Sequence, residues 1–430
     1  MNTINNPHRS EWENICKRPV LANEDLEQKV SAIISRVQLE GDIALKEFAF
    51  QFDHVNLTNL KVSAFEIEIA TAQVSIELKE AISVAAKNIR TFHLSQKKTE
   101  TPIETMHGVT CWRKSVSIDR IGLYIPGGTA PLFSTILMLA IPAQIANCKT
   151  IILCTPADKE GNINPAILYT ASFLGLTEIY KVGGAQAIAA LAYGTETIPK
   201  VDKIFGPGNQ YVTKAKELFQ KNGVAIDLPA GPSEVLVIAD QYADADFVAS
   251  DLLSQAEHGT DSQVVLLTNN EALVEKVKIE LEAQLMLMPR AAIAKKALAN
   301  SFSIVFNSIN ECIDFSNYYA PEHLILAVEN TEVYTEKVKN AGSVFLGYYS
   351  CESAGDYASG TNHTLPTNGY ARSYSGVSLD SFLKKITFQK ISKEGLQNIG
   401  KTIEVMAEAE QLFAHKNAVS IRLKKINNEK

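Results

Sequence analysis

Twelve residues near the C-terminal end of the chain, ESAGDYASGTNH at positions 352–363, combine two carboxylates, a histidine and an asparagine. The glycine and serine content disfavours a packed helix, and the stretch lacks the apolar alternation of a strand, so the sequence predicts a loop. Carboxylate oxygens and imidazole nitrogens are acceptable ligands for a divalent cation such as zinc. Asp356 is therefore a candidate metal ligand.

A second candidate group lies in SQAEHG, at the end of a segment with helical apolar spacing. Gln255 and His258 are three residues apart, so a helix would place both side chains on one face, where they could chelate a cation. His415 in the tail is the remaining candidate ligand. Alternatively, Gly259 ends the helix and His258 interacts with its negative end, which would leave Gln255 unexplained.

A carboxylate and an imidazole stand side by side in APEHL. In an extended segment Glu322 and His323 would face opposite ways, whereas in a turn they could converge and serve two proton transfers. The same letters also suit a capped helix start, with Pro321 in the first turn and the glutamate beside the helix dipole. The spacing leaves both interpretations open.

Three strand ends lead into glycine-rich turns, YIPGGTAP (124–131), VGGAQAIAAL (182–191) and FGPGNQYV (205–212). Such turns let the backbone approach a ligand closely, and the helix that follows favours an anion, so a nucleotide could bind there. Tyr124, Gln186 and Asn209 would gather at the carboxyl edge of one sheet, with Ser233 of PAGPSEV (229–235) beside them. None of the turns matches G-x-G-x-x-G, and ordinary strand-to-helix turns remain an alternative.

The elements around these residues predict an α/β protein. Apolar residues recur at helical spacing from about 22 to 100, and from about 119 short β-branched runs alternate with helical segments, twice over. Right-handed crossovers between such strands give mostly parallel sheets. We expect two tandem Rossmann-like (incomplete) parallel-sheet domains, a small N-terminal helical arm and a helical C-terminal tail.

Composition narrows the class of protein. The 430 residues carry a formal charge of −7, with 46% hydrophobic and 21% charged residues, which suits a folded chain and gives no basic patch for nucleic acid. The N-terminus lacks the apolar core of a signal peptide, and PLFSTILMLAIPAQIA is interrupted by polar residues, so neither export nor membrane insertion is expected. Six scattered cysteines suggest reduced thiols and a cytoplasmic location.

Long motifs in a fixed order make the chain resemble the histidinol dehydrogenase family. They are GLYIPGGTAPLFST, VGGAQAIAALAYGTE, KIFGPGN, AGPSEVLVIAD, DLLSQAEHGTDSQ, APEHL, GSVFLG, ESAGDYASGTNHTLPT and AHKNAVS. The resemblance implies a homodimer that uses zinc (Zn2+) and NAD. Such an enzyme would convert L-histidinol to L-histidinaldehyde and then to L-histidine, with two NAD per turnover.

The resemblance also implies roles for individual residues. Gln255, His258, Asp356 and His415 match its zinc ligands, and Glu322 and His323 match its proton-transfer pair. Tyr124, Gln186 and Asn209 match its NAD site. The substrate contacts are Ser233, Gln255, His258, His323, Asp356, His363, Glu410 and His415, of which Glu410 and His415 would come from the partner chain. Cys351 departs from the family pattern, which often has proline there, and could make the site oxidation-sensitive or offer a stray ligand.

Together these inferences give a domain prediction. We expect residues 1–20 to form the arm, and residues 21–120 together with 234–376 to form the first α/β domain, which carries most metal and catalytic residues. Residues 121–233 are expected to form the second α/β domain, which binds NAD. Residues 377–430 are expected to form the helical tail that is exchanged in the dimer.

Three other functions remain as alternatives. The first is an aldehyde dehydrogenase with Cys148 or Cys154 as nucleophile. The second is a zinc hydrolase, and the third is a non-catalytic binding protein of two α/β lobes.

Overall fold

The computed structural model describes residues 1–19, 25–127, 130–221, 223–229 and 231–428. Gly128, Thr129 and Ala230 of the expected turns, and the predicted border at residues 20 and 21, lie outside the described residues. The chain divides into two compact units. The first unit comprises Met1–Gln96 and Ile118–Phe382, and the second comprises Lys97–Ser117 and Leu383–Lys430.

The secondary structure alternates strands and helices over most of the chain. The strands are β1 (Asn2–Asn5), β2 (Ile103–Met106), β3 (Val109–Ser117), β4 (Arg120–Tyr124), β5 (Thr150–Thr155), β6 (Glu178–Lys181), β7 (Lys203–Phe205), β8 (Ala225–Ile226), β9 (Glu234–Ala239), β10 (Gln263–Thr268), β11 (Phe302–Val305), β12 (His323–Ala327), β13 (Ser343–Leu346) and β14 (Leu383–Ile391). The helices are α1 (Trp12–Ile15), α2 (Leu26–Glu40), α3 (Asp42–Asp53), α4 (Ala64–Gln73), α5 (Ile76–Ser95), α6 (Phe133–Ile145), α7 (Pro165–Phe173), α8 (Gly184–Tyr193), α9 (Gln210–Lys221), α10 (Ala245–Ala256), α11 (Glu271–Leu285), α12 (Ala291–Ala299), α13 (Ile309–Tyr319), α14 (Glu332–Thr335), α15 (Glu352–Tyr357), α16 (Lys393–Ala409) and α17 (Phe413–Asn428). Short 3₁₀ turns span Arg9–Glu11, Tyr370–Arg372 and Leu379–Phe382.

Two parallel sheets lie in the first unit, as the sequence predicted. One has six strands in the order β1-β11-β10-β9-β12-β13, and the other has five in the order β6-β5-β4-β7-β8. The central strands β9 and β10 are buried along their whole length, because helices cover both faces of a parallel sheet. The predicted α/β class with two parallel sheets is confirmed.

The N-terminal arm contains a strand as well as a helix. Residues Asn2–Asn5 form a strand that extends the six-stranded sheet beside β11, a pairing that the sequence did not predict. Trp12 then packs edge-on against Phe306 and Phe315. These contacts fix the arm to the six-stranded sheet.

Helices α2 and α3 pack on the five-stranded sheet. Val30, Ile34 and Phe48 share a buried cluster with Ile188 of α8 and Phe219 of α9. The domain prediction grouped residues 21–120 with 234–376, whereas the packing places these two helices with residues 121–233. The boundaries of the two α/β domains otherwise stay predictions.

The second unit contains a small antiparallel sheet and the C-terminal helices. Strand β14 pairs with β3 along its full length, and β2 pairs with the other edge of β3. Helices α16 and α17 pack against each other, as expected for a helical end. The strand at Leu383–Ile391 was not predicted, because LKKITFQKI has no regular apolar alternation and the strand is largely exposed.

Among the described helices, none has the combined length and apolar character needed to cross a membrane.

Candidate active site

The glutamate and histidine of APEHL lie at the start of a central strand. Helix α13 ends at Tyr319, and Ala320 after it is left-handed. His323 is the first residue of β12, which lies between β9 and β13. The helix-start interpretation is therefore wrong. Both side chains are nevertheless buried together, and Glu322 Oε2 lies 3.7 Å from His323 Nδ1.

The main chain of Glu234 binds both members of this pair. Its N–H donates to Glu322 Oε2 at 2.9 Å, and its carbonyl lies 3.2 Å from His323 Nδ1. A carbonyl can only accept, so this contact assigns the proton of the neutral ring to Nδ1. Nε2 is buried, has no hydrogen-bond partner among the described residues, and lies 3.5 Å from Asp356 Oδ1. In its neutral form, the ring thus presents an unshared lone pair at Nε2.

The ESAGDY half of the opening stretch is a short helix, so the predicted loop is wrong for residues 352–357. Tertiary packing explains the difference: a Cβ at Gly355 would lie 2.6 Å from the ring of Phe345, so the glycine lets the helix approach closely. The helix places Glu352 and Asp356 four residues apart on one face. Both contact His323, and Glu352 Oε1 lies 3.8 Å from its Nδ1.

Gln255 lies in the last turn of α10, which packs against α15. Its side chain is buried, and neither its oxygen nor its nitrogen has a hydrogen-bond partner among the described residues. The helix ends at Ala256, so His258 follows in a turn in which its N–H donates to the carbonyl of Gln255 at 3.2 Å. Gly259 is not left-handed, so the prediction that it ends the helix is wrong.

The charges around His323 are unbalanced. Burial raises the pKa of Glu322 to about 8. Burial lowers the pKa of His323, but Glu352, Glu322 and Asp356 outweigh it and raise that pKa to about 10. Three carboxylates around one imidazole leave buried negative charge that either a proton or a cation must balance. A proton would make the His323 ring cationic, whereas a bound cation would favour the neutral ring.

Two further histidines lie beside Asp356. His363 donates from Nδ1 to the Asp356 carbonyl at 2.9 Å and accepts from the Thr135 hydroxyl at Nε2, 3.1 Å away. Burial lowers the pKa of His363 and of His258, which favours neutral rings. Burial would raise the pKa of Asp356, but the rings of His323, His363 and His258 keep it below its usual range.

These residues fit a divalent cation. Atoms of His323, Glu352 and Asp356 lie within 4.8 Å of one another. The amide of Gln255 is a buried group without a partner, which is costly unless something binds it. A neutral His258 and an ionised Asp356 add a nitrogen and an oxygen donor, as zinc prefers.

A large cleft lies at the five-stranded sheet. Its volume is about 1690 Å³, and its walls include Tyr124, Gln186 and Asn209, so the three side chains predicted at this edge line one cavity. Tyr124 is the last residue of β4, the central strand of this sheet. The next strands along the chain lie on one side of β4 and the later ones on the other side. Open α/β sheets bind ligands at such a reversal of strand order. Its hydroxyl accepts from the N–H of Gly184 at 3.1 Å.

The remaining predicted residues lie elsewhere in the chain. Ser233 precedes β9 and is half-buried, and its carbonyl accepts from the N–H of Gln263. Glu410 and His415 belong to the second unit, at the end of α16 and near the start of α17, and both are exposed.

Cys148 and Cys154, the two candidate nucleophiles, do not have the character of nucleophiles. Burial raises the pKa of the Cys154 thiol, and burial raises that of Cys148 to about 11. A catalytic cysteine needs the opposite shift, toward the thiolate. The burial of Cys154 and the raised pKa of both thiols argue against the cysteine-dependent alternative.

Sequence reasoning noted Glu352 as a carboxylate of the opening stretch but gave it no role, and it missed Glu234 and Arg18, which binds the Glu234 carboxylate. Glu234 begins an otherwise apolar strand and is fully buried. An acidic residue at the first position of the run EVLVIA is the one signal that could have identified it, because buried carboxylates are rare unless paired.

Comparison with known proteins agrees with this architecture. The family model for histidinol dehydrogenase matches residues 16–423. The chain is 58% identical over 426 residues to histidinol dehydrogenase from Bacteroides fragilis strain YCH46, covering 99% of this chain and 100% of that protein. It is 52% identical over 429 residues to the Pasteurella multocida enzyme of that name, covering 100% and 99%.

A solved structure gives the same result. The crystal structure of histidinol dehydrogenase from Elizabethkingia anophelis is 63% identical to this chain, covers 99% of each chain and superposes with a TM-score of 0.98. The similarity in sequence and in fold therefore extends over nearly all of both chains. The chain is therefore an oxidoreductase that belongs to the histidinol dehydrogenase family.

Proposed function

We propose that this enzyme oxidises L-histidinol to L-histidine through L-histidinaldehyde, as a step of histidine biosynthesis that requires zinc and NAD. The main support is the buried pair of Glu322 and His323 beside Asp356, together with the unpartnered amide of Gln255 on α10, the helix that packs against α15. Zinc, when bound, supplies an anchor for the imidazole and amine nitrogens of histidinol, and NAD accepts a hydride in each oxidation.

Gln255, His258 and Asp356 would hold the zinc together with His415 of a second copy of the chain. The second unit offers a surface for such a dimer. Apolar side chains next to Glu410 and His415 are exposed, including Val405, Met406, Leu412 and Phe413, and burying them in a dimer would be favourable. On this proposal the partner's tail also brings Glu410 to the substrate.

His323 and Glu322 would move the protons. In the first oxidation, Nε2 of His323 accepts the proton of the substrate hydroxyl, because its Nδ1–H faces the Glu234 carbonyl. In the second, Glu322 removes a proton from the water that attacks the aldehyde, and His323 again acts as base. Ser233 and His363 would line the substrate pocket.

The nicotinamide cofactor would lie in the cleft at the five-stranded sheet. The cleft exceeds the roughly 300–1,000 Å³ of pockets for drug-sized ligands, as an extended dinucleotide requires. Tyr124, Gln186 and Asn209 are the proposed contacts, and residues 121–233 the proposed NAD-binding domain. The six unpaired thiols support a cytoplasmic location.

Removing the metal is the direct test of this function. We expect purified enzyme to contain zinc, and chelation to lower histidinol-dependent NADH formation by at least about tenfold, with recovery on adding Zn²⁺. Full activity of metal-free enzyme would contradict the zinc proposal. Turnover of an amide substrate without NAD would favour a hydrolase instead.

Replacing Gly206 with alanine is expected to weaken NAD binding. Gly206 has φ +124°, and a Cβ there would lie 2.0 Å from the carbonyl oxygen of Tyr124, so the turn that carries Asn209 must shift. Strain of this kind costs about 1–3 kcal/mol, equivalent to a rise in the KM for NAD of roughly 5- to 150-fold. Steady-state kinetics with NAD varied provide the measurement.

Gly175→Ala is the matched control, since Gly175 also has positive φ (+73°) but no atom lies within 4 Å of its added Cβ. An equal change in the KM for NAD in both variants would exclude a specific role for the Gly206 turn.

A further inference from the structure

A buried ion pair connects the N-terminal arm to strand β9. Arg18 Nε donates to Glu234 Oε1 at 2.9 Å, and its Nη2 donates to Glu234 Oε2 at 3.2 Å. The two side chains are only 9% and 1% exposed. Two parallel hydrogen bonds from one guanidinium restrain the orientation of the carboxylate as well as its position.

Both partners of this pair are held by further contacts. Arg18 also donates to the carbonyl oxygens of Tyr319 and Cys16, and its guanidinium stacks 3.5 Å from the centre of the Tyr319 ring. Glu234 Oε1 accepts a second hydrogen bond, from the N–H of Asn368. These contacts leave the Glu234 side chain a single orientation.

The main chain of the same residue contacts the proton-transfer pair. Its N–H binds Glu322 and its carbonyl binds the Nδ1–H of His323. Rotation of the Glu234 peptide groups would therefore move the carboxylate of Glu322 and release the ring of His323. The pairing of Glu234 with Gln263 of β10 restrains that rotation in part, and the anchored side chain of Glu234 adds a second restraint.

We propose that Arg18 and Glu234 are positioning residues, which fix the placement of Glu322 and the neutral tautomer of His323 through the main chain of Glu234. This inference rests on the proposed function for its effect on rate. The tautomer itself can be observed without turnover. Arg18 makes no hydrogen bond to His323 or Glu322; it binds the Glu234 carboxylate and the carbonyl of Tyr319, so it acts through these neighbours.

Two variants of the pair test this inference. Arg18→Lys keeps the buried positive charge but loses the forked geometry, and Glu234→Gln keeps the size but loses the charge. For both we expect kcat to fall by about tenfold or more in alcohol and in aldehyde oxidation, as for residues that orient a reacting group. The KM for NAD should stay unchanged, because the cleft lies at the other sheet.

Imidazole ¹⁵N spectra of the zinc-loaded protein give the second readout. The His323 signal, identified by its loss in His323→Asn, should report a proton on Nδ1 in the parent protein and a mixture of tautomers in the Arg18→Lys and Glu234→Gln variants. If either variant does not fold, the other still gives both readouts, and Arg18→Lys is the milder of the two.

Trp12→Leu is the matched control. It loosens the arm through Trp12, which packs on Phe306 and Phe315 and does not contact Glu234. We expect a lower thermal midpoint with kcat and the His323 signal unchanged. An unchanged rate and tautomer in the pair variants, or the same loss of kcat in Trp12→Leu, would overturn the inference. Activity retained in His323→Asn would instead contradict the proposed function.

Discussion

Replacing His323 with asparagine is expected to lower the rates of both oxidations by about 10²- to 10⁴-fold, the usual contribution of a positioned general base. The reason is the position of its two nitrogens. An asparagine amide can still donate to the Glu234 carbonyl, which His323 Nδ1 now contacts at 3.2 Å, but it has no group in place of Nε2. The fold of the site should remain while the proton acceptor is lost.

The measurement is single-turnover NADH formation, first from histidinol and then from supplied aldehyde. His54→Asn is a suitable control, because His54 is exposed and has φ +57°, a conformation that asparagine adopts readily. We expect that control to keep the parent rates. A His323→Asn enzyme that lost only one of the two oxidations would contradict the assignment of His323 as base in both.

The regular elements of the two parallel sheets could be predicted from the sequence. Runs such as EVLVIA and QVVLLT are continuous apolar strands, which occur where both faces of a sheet are covered, and the helices between them have clear spacing. Strand β14 was missed, because LKKITFQKI lies exposed in a three-stranded antiparallel sheet whose partners are far away in sequence. Its pairing depends on β3, which no local pattern reveals.

The candidate site was predictable in its residue types but not in its assembly. Glu322 and His323 were recognised as a pair, yet the spacing could not decide between a strand and a helix start. The site lies at the amino ends of β9 and β12, whereas the general rule for open sheets points to the carboxyl ends. That position follows from tertiary contacts of Glu234, which local sequence does not encode.

Tertiary contacts also explain why the short helix α15 was not predicted. Its glycine and serine content predicts a loop, but packing of Gly355 on Phe345 overrides that weak preference. The helical spacing then directs Glu352 and Asp356 at the same imidazole. Glu352 was visible in the sequence as a carboxylate, but its burial without a hydrogen-bond partner among the described residues could be recognised only from the structure.

Glu322→Gln is expected to separate the two oxidations. Glutamine keeps an oxygen that can accept from the N–H of Glu234, now 2.9 Å from Glu322, so the geometry of the site should survive. It cannot accept a proton from water, because a neutral amide is a poor base. Oxidation of supplied aldehyde should fall by about 10²- to 10⁴-fold, and oxidation of histidinol to the aldehyde much less.

The two half-reactions are again followed by NADH formation in single turnovers, with Glu332→Gln as the control on an exposed glutamate of α14. The His323→Asn and Glu322→Gln variants should differ in which oxidation they lose. Loss of the histidine removes the acceptor that both oxidations share, whereas loss of the glutamate removes only the group that activates water. Equal losses in both half-reactions of Glu322→Gln would mean that the carboxylate acts on His323 rather than on water, and the division of roles between the two residues would have to be abandoned.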